Sequence, residues 1–334
     1  MFVLLCDITI GSYRFRQVNE ITVSKSWRKL GDTCTIKLPK YVRSDKMVTN
    51  TLDSFIKVGD PVIVKMKYLG LVETTEFEGT VSKIKPNIPF EIECEDSVWY
   101  MKRTPLRKSW SIADKATLKE VVTYLVSEVN SKHKTSLKVS GDIPTVNFTE
   151  GFVIESGNNA ATALESIREN FGLASYFKGT ELFTGLSYQK TYGTAKHSLA
   201  WNVIESDLAY RKEEDTQIRI KPIGIKKDNT KVETSTIVGD EDGELRTVHY
   251  YNVTTESELL KLAKNDLEKY KFEGFEGDFT TFLYPYAEPL MITELQDPRY
   301  DEARSGSYII DSVTTTFGVS GARRVVKPGI KVSA

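Results

Sequence analysis

The 334-residue sequence contains no apolar run long enough to cross a membrane. Its most apolar stretch, at the N-terminus, spans roughly five residues before Asp7, whereas a membrane helix needs about 18 or more. No basic segment leads into this stretch, so a secretory signal is not predicted either. We expect no membrane insertion by this chain. We instead predict a first β-strand whose alternate residues share one face: Phe2, Leu4, Cys6, Ile8 and Ile10.

The sequence also lacks an excess of charge of either sign. Its 45 Lys and Arg residues nearly balance 46 Asp and Glu residues, which leaves a net charge of -1. Proteins that hold nucleic acid normally carry a strongly basic surface, so DNA or RNA is not expected as a bound partner. The content of 40% hydrophobic and 27% charged residues is typical of a folded globular protein. The length suffices for two or three domains with cores of their own.

Cysteine is scarce, and the three that occur, Cys6, Cys34 and Cys94, lie far apart. An odd number without CxxC spacing favours neither a disulfide framework nor a zinc site. Cys34 and Cys94 each occupy the apolar side of an alternating pattern, which predicts small hydrophobic residues buried in strands. Such thiols suit assembly in a reducing cytoplasm.

Motifs for catalysis and cofactor binding are missing from the sequence. The three histidines, His133, His197 and His249, have no cysteine or carboxylate at metal-ligand spacing, and we predict that all three are exposed. There is no phosphate-binding glycine loop and no GxSxG motif. The acidic segment 239–243 lacks the remaining ligands of a calcium loop, so a solvated turn is favoured. No cofactor, metal or catalytic residue is predicted, while 46 acidic residues leave a carboxylate pair as an open alternative.

Hydrophobic periodicity divides the chain into three predicted domains. Residues 1-104 alternate between apolar and polar side chains, as in FEIECED, which is typical of half-buried antiparallel strands in a small barrel. Residues 105-200 combine helical and strand patterns and are predicted to form a small α+β domain. Residues 201-334 return to the β-pattern with one helix.

Three helices are predicted from their first residues and apolar faces. Capping boxes place one start at Thr117 and another at Thr255, and a third helix follows Asn159 and ends at Gly172. The residues predicted to face inward are Leu118, Val121, Val122, Leu125 and Val129 in the first, Ala160, Ala163, Leu164, Ile167 and Phe171 in the second, and Leu260, Ala263, Leu267 and Tyr270 in the third.

The two β-regions share a faint internal repeat. In the first, Asp60 and Pro61 open a strand, and a returning strand reaches Val81, 20 positions after the proline. In the second, Glu288 and Pro289 precede a returning strand at Ile310, 21 positions after the proline. These markers indicate a duplicated domain with an insertion between the copies. The predicted fold class is therefore α+β, mainly β, with two similar small β-barrel domains separated by a small α+β domain.

Four tyrosines are candidates for an interface or a binding surface. Tyr250, Tyr251, Tyr284 and Tyr286 lie at predicted loops or strand ends. Exposed tyrosines commonly line protein interfaces and glycan-binding surfaces. Packing in the core or at strand ends is the alternative for each of them.

Taken along its whole length, the sequence resembles the phage tail baseplate hub family. This family includes contractile-tail hub proteins and the hub portion of type VI secretion spikes. IKVGDPVIVKM, FEGTVSKI and FEIECEDSVWYM resemble the first hub barrel and its exit. LLKLAKNDLEKY, FEGFEGDFTTF and AEPLMITELQD resemble the second barrel, and SGSYIIDSVTTTFGVSGARRVVKPGIKV resembles its closing hairpin.

The resemblance implies a homotrimer in which two barrels per chain form a pseudo-sixfold ring around a channel. Such a hub joins the tail tube to the central spike, contacts other baseplate proteins, and lets DNA pass only as cargo. It implies no enzyme activity, a place in the virion tail, and assembly in the bacterial host cytoplasm. No needle-like domain is expected after Ala334, so the spike would be a separate chain. The alternatives are a glycan- or receptor-binding tail-tip module and, less favoured, a cell-wall hydrolase.

Overall fold

The computed structural model describes residues 3–39, 41–44, 47–52, 55–148, 151–186, 191–212, 217–225, 231–251, 255–270, 273–299 and 304–332. The chain divides into two compact units, which are described separately. Unit 1 comprises Met1–Ser206 and Asp278–Ala334, and unit 2 comprises Asp207–Gly277. The described residues form 24 strands and four α-helices, so the predicted fold class, α+β and mainly β, is confirmed. None of the described helices is long and apolar enough to span a bilayer. The domain boundaries at 104 and 200 stay predictions.

The N-terminal part of unit 1 consists of nine strands. They are β1 Leu4–Ile10, β2 Tyr13–Phe15, β3 Glu20–Ser26, β4 Thr33–Leu38, β5 Tyr41–Ser44, β6 Met47–Thr51, β7 Pro61–Tyr68, β8 Thr74–Lys85 and β9 Phe90–Glu95. Their inward positions alternate with polar ones, as predicted. In β9, for example, Phe90, Ile92 and Cys94 are buried while the glutamates between them are half-buried.

The middle of unit 1 contains three helices and short strands. They are α1 Val98–Lys102, β10 Lys108–Trp110, a 3-10 turn Ile112–Asp114, α2 Leu118–His133, β11 Lys138–Val139, β12 Phe152–Ile154, α3 Ala160–Phe171, β13 Ala174–Lys178 and β14 Glu181–Gly185.

The remaining strands and the last helix complete both units. They are β15 Thr194–Ser198, β16 Val203–Arg211, β17 Ile218–Ile225, β18 Lys231–Glu233, β19 Val238–Gly239, β20 Glu244–Tyr251, α4 Glu256–Tyr270, β21 Gly274–Thr281, β22 Ile292–Gln296, β23 Gly306–Gly318 and β24 Gly321–Val332.

One large sheet joins the two ends of the chain within unit 1. Its hydrogen-bonded order runs β24, β23, β3, β4, β9, β8, β7, β1, β2, and β22 and β15 continue from β23. The joint is the antiparallel pairing of β3 with β23, in which Thr22 faces Thr316. Strands almost 300 residues apart in sequence therefore share one hydrogen-bonded surface.

The predicted helix starts in the middle region are confirmed. The Thr117 hydroxyl accepts from the Glu120 amide at 3.2 Å, and the Glu120 carboxylate accepts from the Thr117 amide at 2.8 Å. Asn159 caps α3, and Gly172 ends it with a φ of 66°. The prediction for Phe171 is wrong, because this residue is 42% exposed. It occupies the last turn of α3, where one edge of its ring contacts Phe148 and the rest meets solvent.

The cysteine prediction is also confirmed. Cys6, Cys34 and Cys94 are free and buried, and Cys34 lies directly opposite Cys94 on neighbouring strands. Burial raises the pKa of the Cys34 and Cys94 thiols, which keeps both in the neutral form at physiological pH.

The core of unit 1 contains a buried ion pair between β24 and β8. Arg324 is fully buried, and its Nη2 donates to Oε1 of Glu76 at 2.7 Å. The guanidinium also donates to Thr315 Oγ1 at 3.3 Å and to the carbonyl oxygens of Leu283 and Pro285. Every side of this charge is therefore held by the protein, as burial requires.

The exposure predicted for the histidines is wrong for His197, which is 1% exposed. On β15 it follows Ala195 by two positions, so both point inward. Its Nδ1 lies 2.8 Å from Thr293 Oγ1, and its ring contacts Phe279 edge-on. Its neighbours in sequence, Lys196 and Ser198, are polar, so the local pattern did not indicate that His197 faces the core. His133 is half-buried, with Nε2 3.1 Å from Thr104 Oγ1. The side chain of His249 lies outside the described part.

Unit 2 is a four-stranded sheet covered by one helix. β17 lies at the centre and pairs with β18, β19 and β20, and α4 packs on it. The Glu258 amide donates to Thr255 Oγ1 at 3.3 Å, in agreement with the predicted helix start. Of the residues predicted to face inward, Ala263 is buried and Leu260 and Leu267 are half-buried. The side chain of Tyr270 lies outside the described part.

Candidate functional site

An apolar groove of about 660 Å³ opens on the surface of unit 1. Trp201 and Tyr284 line it and are 84% and 68% exposed, and the exposed side chains of Leu71 and Phe282 line it as well. Large aromatic side chains this exposed are unusual on a protein surface that contacts only water, and they are typical of interfaces. The groove is therefore the strongest candidate for a binding surface within the described part of unit 1.

The turn after β15 fixes one wall of this groove. The Trp201 amide donates to the Ser198 carbonyl at 3.1 Å. The Asn202 side chain donates to the Lys196 carbonyl at 2.9 Å and accepts from the Ser198 amide at 2.7 Å. Asn202 thus satisfies backbone groups of β15 that would otherwise be free to pair with another strand. A partner in the groove would therefore contact side chains, because Asn202 already occupies two backbone groups at the edge of β15.

A second cavity, of about 250 Å³, lies between β3, β8, β13 and the segment before β22. Its lining is mixed. It contains the carboxylates Asp32, Glu78, Asp96 and Glu288, the lysines Lys25 and Lys178, and the aromatic residues Trp27, Phe77, Tyr176, Phe177, Tyr192 and Tyr286. Lys178 bonds Glu288 at 2.6 Å and lies 3.6 Å from the centre of the Tyr192 ring.

Asp32 and Asp96 form the carboxylate pair of this cavity. Asp96 accepts from the Asp32 amide at 3.0 Å and from the Val98 amide at 2.9 Å, so both of its oxygens bind backbone. Asp32 accepts from the Ser26 amide at 3.1 Å. Burial raises the pKa of both groups, and the negative charge of Asp32 raises that of Asp96 further.

Paired acids with raised pKa values also occur at acid–base catalytic sites. Here Asp96, which lies between β9 and α1, binds the first amide of α1 and an amide of the loop between β3 and β4, so it ties these two connections together. Among the described residues, no group of three or more His, Cys, Asp or Glu side chains could hold a metal ion. The arrangement is best explained as a structural one.

The raised pKa of Asp32, about 6, has a measurable consequence for stability. A carboxyl group that stays protonated in the folded state stabilises the fold at low pH, and this contribution is lost as pH rises from about 4 through 6. Asp32→Asn keeps the acceptor for the Ser26 amide. Between pH 4 and pH 8 we expect the unfolding free energy of this variant to fall by about 1 to 3 kcal/mol less than that of the wild type.

Urea unfolding of wild-type and D32N protein at a series of pH values measures this difference. Glu78→Gln, which changes an exposed carboxylate of the same cavity, is the matched control. Parallel pH profiles for D32N and wild type would contradict the prediction.

The structure separates the four predicted tyrosines. Tyr284 lies in the groove. Tyr286, two residues on, is half-buried at the second cavity, where its hydroxyl donates to Glu288 Oε2 at 3.0 Å and its ring lies 4.9 Å from the Arg324 guanidinium. Burial raises the pKa of the Tyr286 hydroxyl. Tyr250 is half-buried against the core of unit 2, and the side chain of Tyr251 lies outside the described part. Their roles stay predictions.

The residues that mark the predicted repeat, Asp60 and Pro61 in the first copy and Glu288 and Pro289 in the second, lie close to similar antiparallel strand pairs. Their distance from the first strand of the pair differs. Pro61 is the first residue of β7, and Pro289 lies in a turn three residues before β22. The carboxylate of Asp60 accepts from the Lys57 amide, and that of Glu288 binds Lys178. Both β7 and β22 pair antiparallel with a returning strand, β8 and β23.

Just before the first strand of each pair, two consecutive residues form backbone hydrogen bonds with one residue of the returning strand. Val81 bonds Gly59 and Asp60, before the first proline. Ile310 bonds Leu290 and Met291, after the second proline. The local pattern is alike but offset by three residues relative to the prolines. Duplication of the two β-regions stays a prediction.

Trp201 and the turn between β7 and β8, whose Leu71 also lines the groove, were not among the predicted candidates. A signal was available in KYLGLVETT, where large aliphatic residues flank a glycine inside a polar segment. A turn rich in exposed aliphatic residues is an unfavourable arrangement in water unless a partner covers it.

Comparison with known proteins shows what shares this fold. The structure is similar to the tail protein from Neisseria meningitidis MC58, with a TM-score of 0.65, 11% identity, and coverage of 99% of this chain and 97% of that one. It is similar to the 43 kDa tail protein of prophage MuSo2 from Shewanella oneidensis, with a TM-score of 0.64, 15% identity, and coverage of 97% of both chains.

A third similar structure is a component of the E. coli type VI secretion system that itself shows structural similarity to bacteriophage T4 tail proteins gp27 and gp5. The TM-score is 0.55 at 10% identity, and the match covers 98% of this chain and 77% of that one. No protein-family model and no curated protein matches the sequence. The chain therefore has the fold of phage tail proteins and of a type VI secretion component, and at this level the resemblance seen in the sequence is confirmed.

Proposed function

We propose that this chain is a structural component of a phage or prophage tail and forms a trimeric baseplate hub. The observation that carries the proposal is the match in fold with two tail proteins, one of them from a prophage, over 97 to 99% of both chains.

In this proposal the role of the chain is mechanical. Three copies close into a ring, join the tail tube to the central spike, and surround a channel through which DNA passes as cargo. The pairing of β3 with β23 supports this role, because it holds the two β-regions of each chain in one hydrogen-bonded sheet that can bear load. The chain is not an enzyme in this proposal, and it acts in the virion tail after assembly in the host cytoplasm.

The test is to locate and count the chain in purified tails. A short tag on the chain, gold labelling in electron microscopy, and quantitative mass spectrometry should place three copies at the baseplate end of each tail. Deletion of the gene should yield particles without a joined tube and baseplate. Intact tails that lack the chain would rule the proposal out.

The exposed aromatic residues Trp201 and Tyr284 favour one alternative, a tail-tip module that binds glycan. Binding of the purified chain to host cell-wall glycans, abolished by Trp201→Ala, would support it. Digestion of peptidoglycan by the pure protein would instead support the hydrolase alternative. The hub proposal expects neither result.

A further inference from the structure

The second cavity of unit 1 collects side chains from distant parts of the chain. Lys25 lies near the end of β3 and Trp27 directly after it, whereas Glu78 lies on β8 and Lys178 on β13. Glu78 and Lys178 are exposed and mark the mouth of the cavity, while Trp27 and Asp32 are half-buried. Its volume of about 250 Å³ is far more than one water molecule needs.

An ammonium group of the chain itself already lies in this cavity. The Lys178 Nζ donates to Glu288 Oε1 at 2.6 Å and lies 3.6 Å from the centre of the Tyr192 ring. The other oxygen of Glu288 accepts from the Tyr286 hydroxyl at 3.0 Å. Carboxylates and aromatic faces are the groups that attract ammonium ions in proteins. The lining therefore has the chemistry of a cation site.

Two further carboxylates of the cavity are available to a second cation. Asp32 accepts from the Ser26 amide through Oδ1, and its Oδ2 has no hydrogen-bond partner among the described residues. The exposed Glu78 carboxylate forms no hydrogen bond or ion pair within the described part of the chain. Asp96 does not contribute, because backbone amides bind both of its oxygens.

The cavity also offers two donors that lack acceptors. Trp27 Nε1 is buried and has no hydrogen-bond partner among the described residues. The Lys25 ammonium forms no hydrogen bond or ion pair in that part of the chain either. A buried N–H without an acceptor costs free energy unless a bound group supplies one. An occupant should therefore bring an oxygen atom as well as a positive charge.

We propose that this cavity binds the free amino terminus of another polypeptide. The ammonium group of that terminus pairs with Asp32 and Glu78, and its first carbonyl oxygen accepts from Trp27 Nε1 or from Lys25. The inference deepens the proposed function and rests on it for the source of the polypeptide, which is a neighbouring tail protein.

The charge of the lining favours an amino terminus over a free amino acid. Besides Asp96, the three carboxylates Asp32, Glu78 and Glu288 face two lysines, which leaves an excess of negative charge. A free amino acid would add its own carboxylate to this excess. The amino terminus of a polypeptide contributes only the positive charge, so it complements the lining better.

Isothermal titration calorimetry of the purified full chain at pH 7 tests the inference. At this pH the amine of a peptide is largely protonated, and Asp32, whose pKa burial raises to about 6, is largely ionised. We expect saturable binding of alanyl-alaninamide, which supplies the ammonium and the carbonyl. Its N-acetylated form lacks the charge, propylamine lacks the carbonyl, and alanine adds a carboxylate. Each of these three should bind at least about tenfold more weakly.

Variants of the lining assign the contacts. Asp32→Asn keeps the acceptor for the Ser26 amide but removes the charge, so it should weaken binding of the dipeptide amide about tenfold. Trp27→Phe keeps a ring but removes the N–H, so the preference for the dipeptide amide over propylamine should fall about fivefold. Glu165→Gln is the matched control, because Glu165 is an exposed carboxylate on α3 outside the cavity, and it should bind as wild type does. Circular dichroism confirms that each variant is folded.

Several results would overturn the inference. They are equal binding of the free and acetylated dipeptides, wild-type affinity in D32N, and binding of alanine or propylamine as tight as that of the dipeptide amide. Incorporation of the chain into tails is scored in parallel. A chain that enters tails but binds no peptide would remove only this site. A chain that binds the peptide but is absent from tails would remove only the proposed function.

Discussion

Replacing Arg324 with methionine should lower the free energy of unfolding by about 3 to 5 kcal/mol, the largest effect expected in this protein. Arg324 and Glu76 are 0% and 2% exposed, so removal of the cation leaves the Glu76 carboxylate buried without its partner. The carbonyls of Leu283 and Pro285 also lose the guanidinium as donor. Urea unfolding at neutral pH measures the loss.

Arg323→Met is the matched control for this prediction. Arg323 is the adjacent residue of β24, but it is half-buried and contacts the exposed ring of Phe282, so its loss should cost less than about 1 kcal/mol. The double variant Arg324→Met with Glu76→Gln removes both charges and should regain part of the lost stability. Equal effects of R324M and R323M would show that the buried pair does not stabilise the fold.

The ion pair between Arg324 and Glu76 also connects two distant parts of the chain. Glu76 belongs to the N-terminal β-region and Arg324 to the C-terminal one, 248 residues later. It reinforces the connection that β3 and β23 make through backbone hydrogen bonds. A single cooperative unfolding transition is expected for unit 1 as long as both connections hold.

Local features of the fold could be predicted because they depend on near neighbours in sequence. The alternation in Phe90, Ile92 and Cys94 follows from the two-residue period of a strand. The capping box at Thr117 needs only a residue three positions away, Glu120. The long-range connections could not be predicted in this way. Nothing in the local pattern of Glu20–Ser26 specifies a partner strand at Gly306–Gly318, because register between distant strands is decided by the packing of the whole core.

The burial of a polar residue explains the wrong prediction for His197. Arg324 and His197 occupy inward positions of their strands, yet a polar residue at such a position looks like a surface residue when the sequence alone is available. Tyr284 and Tyr286 look equivalent in sequence, but one lies in the groove and the other beside Arg324. Their separation depends on contacts with β24, which the local sequence does not contain.

His197 should make the fold sensitive to acid. Burial and the nearby Arg324 lower the pKa of His197 to about 4, well below the ordinary value near 6.5. Between pH 4 and pH 6.5, His197 is therefore neutral in the folded state and protonated in the unfolded chain. This contribution to stability is complete above pH 6.5 and is lost as pH falls from about 6.5 through 4, by about 3 kcal/mol.

Unfolding of the variant His197→Asn at pH 7 and pH 4.5 isolates this contribution. Asparagine keeps a polar group near Thr293 Oγ1 but takes up no proton, so the variant should lose less stability on acidification than wild type. The groups that face His197, Arg324 on β24 and Glu76 beyond it, are unchanged in the comparison. His133→Asn is the control, since His133 is only half-buried and its substitution should change the acid dependence less. An acid dependence of H197N equal to that of wild type would place the responsible group elsewhere in the core.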